Sequence, residues 1–332
     1  MNDAAPTSTG AAHGDRPRPG SGLAPPAATL PAMPPDARLG ANGLPRPELR
    51  AELRRIPVLR NAWTIASCWA QTLGVLAVAV RLAHPAAWVG AFVLMARAHE
   101  QLNILGHEAA HRLLFRRRRV NDAVGGWLLA GPTGQPLELY RRAHLTHHRD
   151  ELGPEEPDLG LYSGYPITRA SLRRKLARDA SGLSGCKILT SLGRGLRRPD
   201  ARPAVLRILA CQAVIAAGFT VLGRPELYVL LWFLPWFTAW RVINRLRAIA
   251  EHAGMAHSPD RRRSTHVVRQ SRAARFLLVP YHVGCHLAHH VDMGVPLTQL
   301  PALQRELVAS GWVTPELVRP SYRSLWRALS SA

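Results

Sequence analysis

Long stretches without charged side chains alternate with strongly basic stretches along this chain of 332 residues. Residues 63–80 carry no charge and, as a helix, are long enough to cross most of a bilayer, whose hydrocarbon core takes about 20 apolar residues. A second apolar stretch covers residues 86–105, and two more cover residues 204–222 and 227–243. The pattern predicts an all-α integral membrane protein with about four transmembrane helices in two hairpins.

Polar residues in the second stretch indicate what surrounds it. Arg97, His99 and Glu100 lie in its last turns, and such side chains in a membrane helix face protein or water rather than lipid. The alternative is a soluble helical protein with a buried core. We consider it weaker, because paired apolar runs of 17–20 residues with so little charge are unusual for core helices.

The two ends of the chain differ in composition from the apolar region. Residues 1–45 are rich in Pro, Ala and Gly, so they are predicted to be a disordered tail. Residues 46–58 mix Arg, Glu and Leu in a pattern that predicts a helix on the membrane surface. The main domain is expected at residues 46–320, followed by a C-terminal tail at residues 321–332.

The formal net charge is +21, and the distribution of the basic residues predicts how the chain is oriented in the membrane. The short connections, residues 81–85 and 223–226, carry one Arg each, whereas the long segments hold nearly all the other basic residues. The positive-inside rule therefore places both termini and the long segments in the cytoplasm, with a bacterial-type inner membrane as the expected location. The basic surface suits anionic headgroups or acidic proteins. No nucleic-acid partner is predicted, because no DNA- or RNA-binding motif is present.

Histidine clusters are the main chemical signal in the sequence. An HEAAH motif begins at His107, and HLTHH and HLAHH motifs begin at His144 and His286. Residues spaced by three and four lie on one side of a helix, so each motif directs several ring nitrogens to a shared point. The histidines of the three motifs are His107, His111, His144, His147, His148, His286, His289 and His290.

The number of clustered histidines indicates two metal ions, because a first-row ion takes roughly four to six ligands. Nitrogen ligands suit iron, copper, zinc or nickel. All three motifs lie in or beside segments assigned to the cytoplasm, so they can meet at one level. His252 is a ninth candidate. If a helix begins near Leu227 and continues unbroken, His252 lies about 38 Å along it, beyond a hydrocarbon core of about 30 Å.

The first motif also matches HExxH, the signature of zinc proteases. In that alternative Glu108 is the general base that acts on a zinc-bound water. A single catalytic zinc uses three protein ligands, so a protease leaves most of the clustered histidines without a role. An HExxH intramembrane zinc protease is therefore the rival hypothesis from another reaction class.

The order of the three motifs between paired apolar segments resembles the membrane fatty acid desaturase family. The resemblance runs from about Gln101 to Leu307. The stretches that carry it, besides the histidine motifs, are Asn121-Asp122 with Gly125, Tyr140-Arg141-Arg142, PEEPDL from Pro154, IAEH up to His252, Val295-Pro296 and Leu300-Pro301.

The third motif departs from the family pattern. Relatives often have Asn and Tyr before it and Glu inside it, whereas this chain has Gly284, Cys285 and Ala288. The histidines are kept. What changes is the set of groups that orient them, which puts the substrate and the exact reaction in question.

The resemblance implies a helical cytoplasmic cap in which the nine histidines, His252 included, bind two iron ions. It also implies an O2-dependent enzyme that desaturates the acyl chain of a lipid or thioester. The sequence contains no recognisable cytochrome or ferredoxin domain, so electrons are expected from an external donor such as a ferredoxin. A hydroxylase or ketolase acting on a lipid or carotenoid is the alternative within the superfamily, and a non-catalytic di-metal membrane protein is a further one.

Overall fold

The computed structural model describes residues 22–32 and 38–331. Helices dominate this part of the chain, and its two strands, β1 (Val267–Val268) and β2 (Val318–Arg319), form one short parallel pair. The predicted helical class is confirmed at this level: the protein is mostly helical with almost no sheet.

The helices range from one turn to seven turns in length. The α-helices are α1 (Pro47–Leu53), α2 (Val58–Leu82), α3 (Pro85–Ala110), α4 (Arg118–Val124), α5 (Leu137–Arg149), α6 (Leu159–Tyr162), α7 (Arg169–Ala180), α8 (Leu183–Gly195), α9 (Arg202–Val221), α10 (Leu234–Phe237), α11 (Ala239–His252), α12 (Arg261–Ser264), α13 (Arg272–Leu277), α14 (His286–Val291), α15 (Leu300–Ala309) and α16 (Tyr322–Leu329). Two π-helices cover Gly125–Ala130 and Tyr228–Phe233, and 3₁₀ turns cover Ala27–Thr29, Pro280–His282 and Pro315–Leu317.

The first predicted hairpin consists of α2 and α3, which pack against each other. The turn between them is tight: Ala83 adopts a left-handed conformation, and the His84 side chain accepts a hydrogen bond from the Ala86 amide. Pro85 follows at the first position of α3, where a missing N–H costs no helical hydrogen bond. The predicted stretches 63–80 and 86–105 lie inside these two helices.

Two helical stretches in the described part of the chain are long and apolar enough to cross a membrane: Pro47–Leu82, which contains α1 and α2, and Arg202–Val221, which is α9. Only 22% and 28% of their apolar windows are buried. The core helix of a soluble protein is mostly buried, so these outward-facing apolar surfaces favour contact with lipid. They contain the first and third predicted spans. The second predicted span is not apolar enough to be one of these stretches, because the later turns of α3 are polar.

The fourth predicted span, residues 227–243, is not one continuous helix. It consists of the π-helix at Tyr228–Phe233, then α10, then the start of α11, and the backbone leaves helical geometry at Thr238 (φ −125°, ψ −83°). Pro235 has no N–H and its ring crowds the preceding turn, which explains the wide turn before it. The expected unbroken helix from Leu227 is therefore wrong, and the length estimate for His252 does not apply.

The main core lies where α1, α11, α14, α15 and α16 meet. Part of the predicted tail at residues 1–45 joins this body: the Leu23 amide donates to the Gly254 carbonyl at 3.0 Å, and Leu39 is fully buried. This differs from the expected disorder, while residues 1–21 and 33–37 lie outside the described residues. The segment predicted as a C-terminal tail holds α16, whose Leu325 and Leu329 are fully buried.

Helix α1 is fastened to the histidine-rich part of the molecule. Leu49 and Leu53 enter the main core, and Arg50 and Arg54 both pair with the buried carboxylate of Asp292, just after α14. A buried carboxylate needs such partners, because an unpaired buried charge is strongly unfavourable. The helix predicted at the membrane surface is thus also a support for the third histidine motif.

Candidate metal centre

The clustered histidines lie on four helices that meet. Helix α3 carries His107 in its last turn and is capped by His111, and α11 ends at His252. Helices α5 and α14 carry the two HxxHH motifs. The site is therefore built from two helix ends and two amphipathic helix faces.

The end of α3 is held by residues that follow it in the chain. The buried Asn121 side chain donates to the Ala109 carbonyl at 2.9 Å and accepts from the Leu114 amide at 3.1 Å. Arg141 donates to the Ala110 carbonyl at 2.8 Å and pairs with Asp122. These contacts satisfy carbonyls that a helix end leaves without partners, and they fix the backbone that carries the first histidine motif.

The nine predicted histidines come together in two neighbouring groups, in each of which one ring nitrogen per histidine lies within 4.8 Å of the others. The first group is His107, His111, His144, His148 and His289. The second group is His147, His252, His286 and His290. The rings of His148 and His290, one from each group, stack with centroids 4.4 Å apart. That these side chains bind metal stays a prediction.

Each HxxHH motif divides its histidines between the groups. In α5 the first and last histidines, His144 and His148, join the first group and His147 joins the second. In α14 the division is reversed, since His289 alone joins the first group. At about 100° per residue, a spacing of four returns to within about 40° of the first side chain, whereas a spacing of three falls about 60° to the other side. The motif therefore suits two adjacent metal ions.

The first group has the spacing of a coordination sphere. The Nε2 atoms of His111 and His144 are 2.9 Å apart, and those of His144 and His148 are 3.1 Å apart. The rings of His107 and His289 complete the group, with centroids 4.8 Å apart. Two nitrogens that bind one metal at about 2.1 Å and at right angles lie about 3 Å from each other.

The second group repeats this spacing. The His286 Nε2 atom lies 2.9 Å from that of His252 and 3.1 Å from that of His290. His147 packs edge-on against His252, with ring centroids 4.8 Å apart. His252, at the end of the interrupted fourth segment, therefore lies beside the third motif.

Buried nitrogens without protein partners show that the residues fit a metal. Both ring nitrogens of His289 are buried and make no hydrogen bond within the described part of the chain. Buried polar atoms are almost always paired, and this ring faces His107, His111 and His148. A metal ion in the first group would satisfy the nitrogen that points inward.

Burial keeps most of these histidines in the form that binds metal. It lowers the pKa of His111 to about 3, and it lowers the pKa values of His144 and His289 well below the ordinary value, helped by neighbouring histidines. Neutral imidazole has a free lone pair, whereas imidazolium has none. The centre is therefore prepared for cations rather than for anions.

The carboxylate of Glu151 supports the second group from behind. It accepts from Thr265 and Arg261, both at 2.6 Å, and its oxygens lie 2.8 Å from His252 Nδ1 and 2.9 Å from His290 Nδ1, although the latter contact is not a hydrogen bond. Burial acts to raise the pKa of Glu151, but His252 and Arg261 outweigh it and hold that pKa below its ordinary value. An acceptor at Nδ1 directs Nε2 toward a metal.

Two further carboxylates support the second group. Glu156 lies 2.5 Å from His147 Nδ1, and Glu251 lies 3.6 Å from His286 Nδ1. Arg247 is buried between Glu251, at 2.6 Å, and Glu100, at 2.7 Å. The ion pairs neutralise charge in a dry region and join α3 to α11 below the histidines.

The departures in the third motif have a local explanation. A Cβ atom at Gly284 would lie 2.7 Å from the Gln270 side chain and 3.0 Å from the Tyr322 hydroxyl. Gln270 also contacts the sulfur of Cys285 at 3.9 Å, and Ala288 is completely buried. Gly284 makes room for Gln270 and Tyr322, which occupy the space beside the motif.

Glu108 of the HExxH match lies outside both histidine groups. Its carboxylate accepts from the Leu297 amide at 2.9 Å, and burial raises its pKa to about 8. A protease base must instead face the water on a zinc ion. This placement gives the protease hypothesis no support.

The other described histidines make structural contacts. His99 contacts the Trp232 carbonyl, His257 the Glu151 carbonyl and His266 the Ala253 carbonyl. His84 caps α3, and His282 lies in the 3₁₀ turn before the third motif. All five stay outside the two groups.

Sequence reasoning missed Glu151 and the role of Glu156. Glu156 belongs to the PEEPDL stretch, but the pattern alone does not say which histidine it contacts. Glu151 follows the second motif by three residues, and this spacing was the available signal. A loop residue with no periodic pattern cannot be placed without the fold.

The fold and the site define a helical protein with a buried polyhistidine centre suited to two metal ions. In comparison with known proteins, the chain matches the family described as Fatty acid desaturase over residues 83–317. The match covers more than half of the chain, and the chain belongs to the fatty acid desaturase family.

One curated protein that is similar to this chain is a desaturase. The chain is 27% identical over 280 residues to dihydrorhizobitoxine desaturase of Bradyrhizobium elkanii, an alignment that covers 78% of this chain and 76% of the relative. Family and relative together indicate an oxidoreductase.

Proposed function

We propose that this chain is an O2-dependent desaturase that acts on the acyl chain of a lipid or thioester. The observation that carries the proposal is the pair of adjacent histidine groups, of five and four members, in a chain of the desaturase family. In the reaction, one CH2–CH2 unit, O2, two electrons and two protons give one CH=CH unit and two waters.

The nine histidines are proposed to hold two iron ions, which when bound supply the oxidising power for C–H cleavage. The chain's own residues hold and shield them. Burial keeps most of the rings neutral and excludes water, and the carboxylates of Glu151 and Glu156 lie at the Nδ1 atoms of His252 and His147.

The proposed arrangement in the membrane keeps four crossings. Helices α2, α3 and α9 supply three of them, and the interrupted segment from Tyr228 to α11 supplies the fourth. Large apolar side chains such as Val89, Val214 and Val229 face outward on these segments. The histidine centre and both termini are placed in the cytoplasm, in a domain that includes α16, and reductant comes from an external donor such as a ferredoxin.

Lipid analysis tests the reaction. The chain and its quadruple variant H144A/H147A/H289A/H290A are expressed in a host that lacks desaturases, and acyl chains are compared by mass spectrometry. The proposal predicts chains that lose two hydrogens with the wild type only. A gain of oxygen instead identifies the hydroxylase or ketolase, and activity in the variant contradicts the histidine centre.

Dihydrorhizobitoxine is a second candidate substrate because the relative carries its name. The same cultures are therefore supplied with that compound. Its conversion without any change in the lipids would replace the acyl chain as the proposed substrate while leaving the histidine centre in place.

A further inference from the structure

An apolar pocket of about 530 Å³ lies beside the third histidine motif and contains none of the nine histidines. It opens where β1 and β2 separate into α13 and α16, and α11 closes its third side. Its apolar lining includes Ile243, Leu246, Ala274, Leu277, Leu278 and Trp326. Small-molecule sites commonly measure roughly 300–1,000 Å³, so this volume suits a ligand.

The polar part of the pocket is positively charged. Arg269 and Arg323 line it and are exposed, and neither side chain has a hydrogen-bond or ion-pair partner in the described part of the chain. Among the described residues, no Asp or Glu lines the pocket. Unpaired arginines are common in a chain of this charge, but here two of them border an open apolar pocket. The combination complements a ligand with an apolar chain and an anionic head.

The size of the pocket favours one hydrocarbon chain. A methylene group is similar in size to a water molecule, whose share of liquid volume is about 30 Å³. A pocket of about 530 Å³ therefore has room for a single chain of fatty-acid length.

The inner end of the pocket reaches the residues around the third motif. Gln270 and Tyr322 line it, and the same two side chains occupy the space left by Gly284. Gln270 also contacts Cys285, the residue before His286. A ligand in the pocket would therefore press on side chains that border the motif without touching a histidine.

We propose that this pocket binds the carboxylate form of a single-chain fatty acid, with Arg269 and Arg323 at the head and the walls from α11, α13 and α16 around the chain. Binding needs no metal, so it is measured independently of the proposed oxidation.

Quenching of Trp326 by a mid-chain brominated stearic acid tests the site. Trp326 lines the pocket and donates to the Leu246 carbonyl at 3.0 Å. The metal-free chain is placed in nanodiscs of zwitterionic lipid, and W326F identifies the contribution of this one tryptophan. We expect saturable quenching that W326F removes. Equal saturable quenching in W326F would overturn the proposal.

Matched variants test head and chain separately. R269Q/R323Q is expected to weaken binding about tenfold or more, since two charge-assisted hydrogen bonds are lost. R272Q/R327Q removes the same charge from α13 and α16 outside the pocket and should change binding less than twofold. A273F, at an exposed lining position, should block binding by filling the space. Equal effects of the two arginine pairs, or normal binding in A273F, would contradict the assignment.

Two further measurements test whether the pocket recognises an anion and whether it binds independently of the histidine centre. The brominated alcohol of the same length should bind about tenfold more weakly, and equal binding would show that no anion is recognised. The variant H144A/H147A/H289A/H290A should retain saturable quenching. Loss of binding in it would show that the pocket depends on the histidine centre and would overturn the proposal.

Discussion

At the scale of single residues, the centre depends on side chains that never face the metal positions. Histidines at the right spacing supply ligands, but their rings rotate unless another group holds Nδ1. At His252 both the Ser264 carbonyl, at 3.0 Å, and Glu151, at 2.8 Å, lie at Nδ1, while Glu151 also lies beside His290 and Glu156 holds His147. The second group therefore rests on carboxylates supplied by the loop after α5.

Replacing Glu151 by Gln should weaken iron binding about 10–100-fold, because the acceptor that orients the second group loses its charge. Chelator competition on purified protein measures this directly. Glu155→Gln is the control, since Glu155 lies in the same loop, is exposed and, among the described residues, forms an ion pair only with Arg149. Iron affinity equal to wild type in E151Q would show that Glu151 does not position the ligands.

At the scale of elements, helix interruptions set the positions of the site residues. The π-helix at Gly125–Ala130 packs on α3, and Gly125 allows the close approach. The break at Thr238 redirects α11, whose end carries His252. These interruptions separate the structure from the sequence pattern, which predicted the apolar segments but treated the fourth as a continuous helix.

A methyl group at Gly125 should disturb the contact with α3. The added Cβ would lie 2.5 Å from the Cβ of Ala109 and 3.1 Å from Leu137, and overpacking of this kind costs about 1–3 kcal/mol. Gly125→Ala should therefore lower the unfolding temperature in detergent. Gly90→Ala is the control, because a Cβ there meets nothing within 4 Å and Ala favours helix. Unchanged stability of G125A would contradict the packing described.

What the sequence predicted at this scale follows from local patterns. Uncharged apolar stretches indicated α2, α3 and α9, and histidine spacings of three and four residues indicated the faces of α5 and α14. The packing of Leu39 and of α16 depends on contacts distant in sequence, and no local pattern indicates them. Glu151 was missed for the same reason.

At the scale of the whole molecule, the chain combines apolar helices that face outward with a polar, helical cap around the histidines. The stretches long and apolar enough to cross a membrane are Pro47–Leu82 and Arg202–Val221. The polar half of α3 leads from the apolar region into the cap. Four crossings and a cytoplasmic centre follow as a proposal from this layout and from the basic long segments.

Cysteine labelling tests the proposed topology. In a C186S background, which removes the exposed native thiol, Cys replaces Leu82 at the α2–α3 turn or Glu155 beside the histidine centre. Both positions are exposed. A membrane-impermeant maleimide should label L82C in intact cells and E155C only after permeabilisation. Labelling of both from the same side would contradict the α2–α3 hairpin as a pair of crossings.

The most direct test of the central proposal is the metal content of the detergent-purified chain after reconstitution with iron, measured by elemental analysis beside H144A/H147A/H289A/H290A. Two groups of five and four histidines predict about two iron ions per wild-type chain and a loss of both in the variant. One zinc per chain, or no iron retained by the wild type, would contradict a di-iron centre.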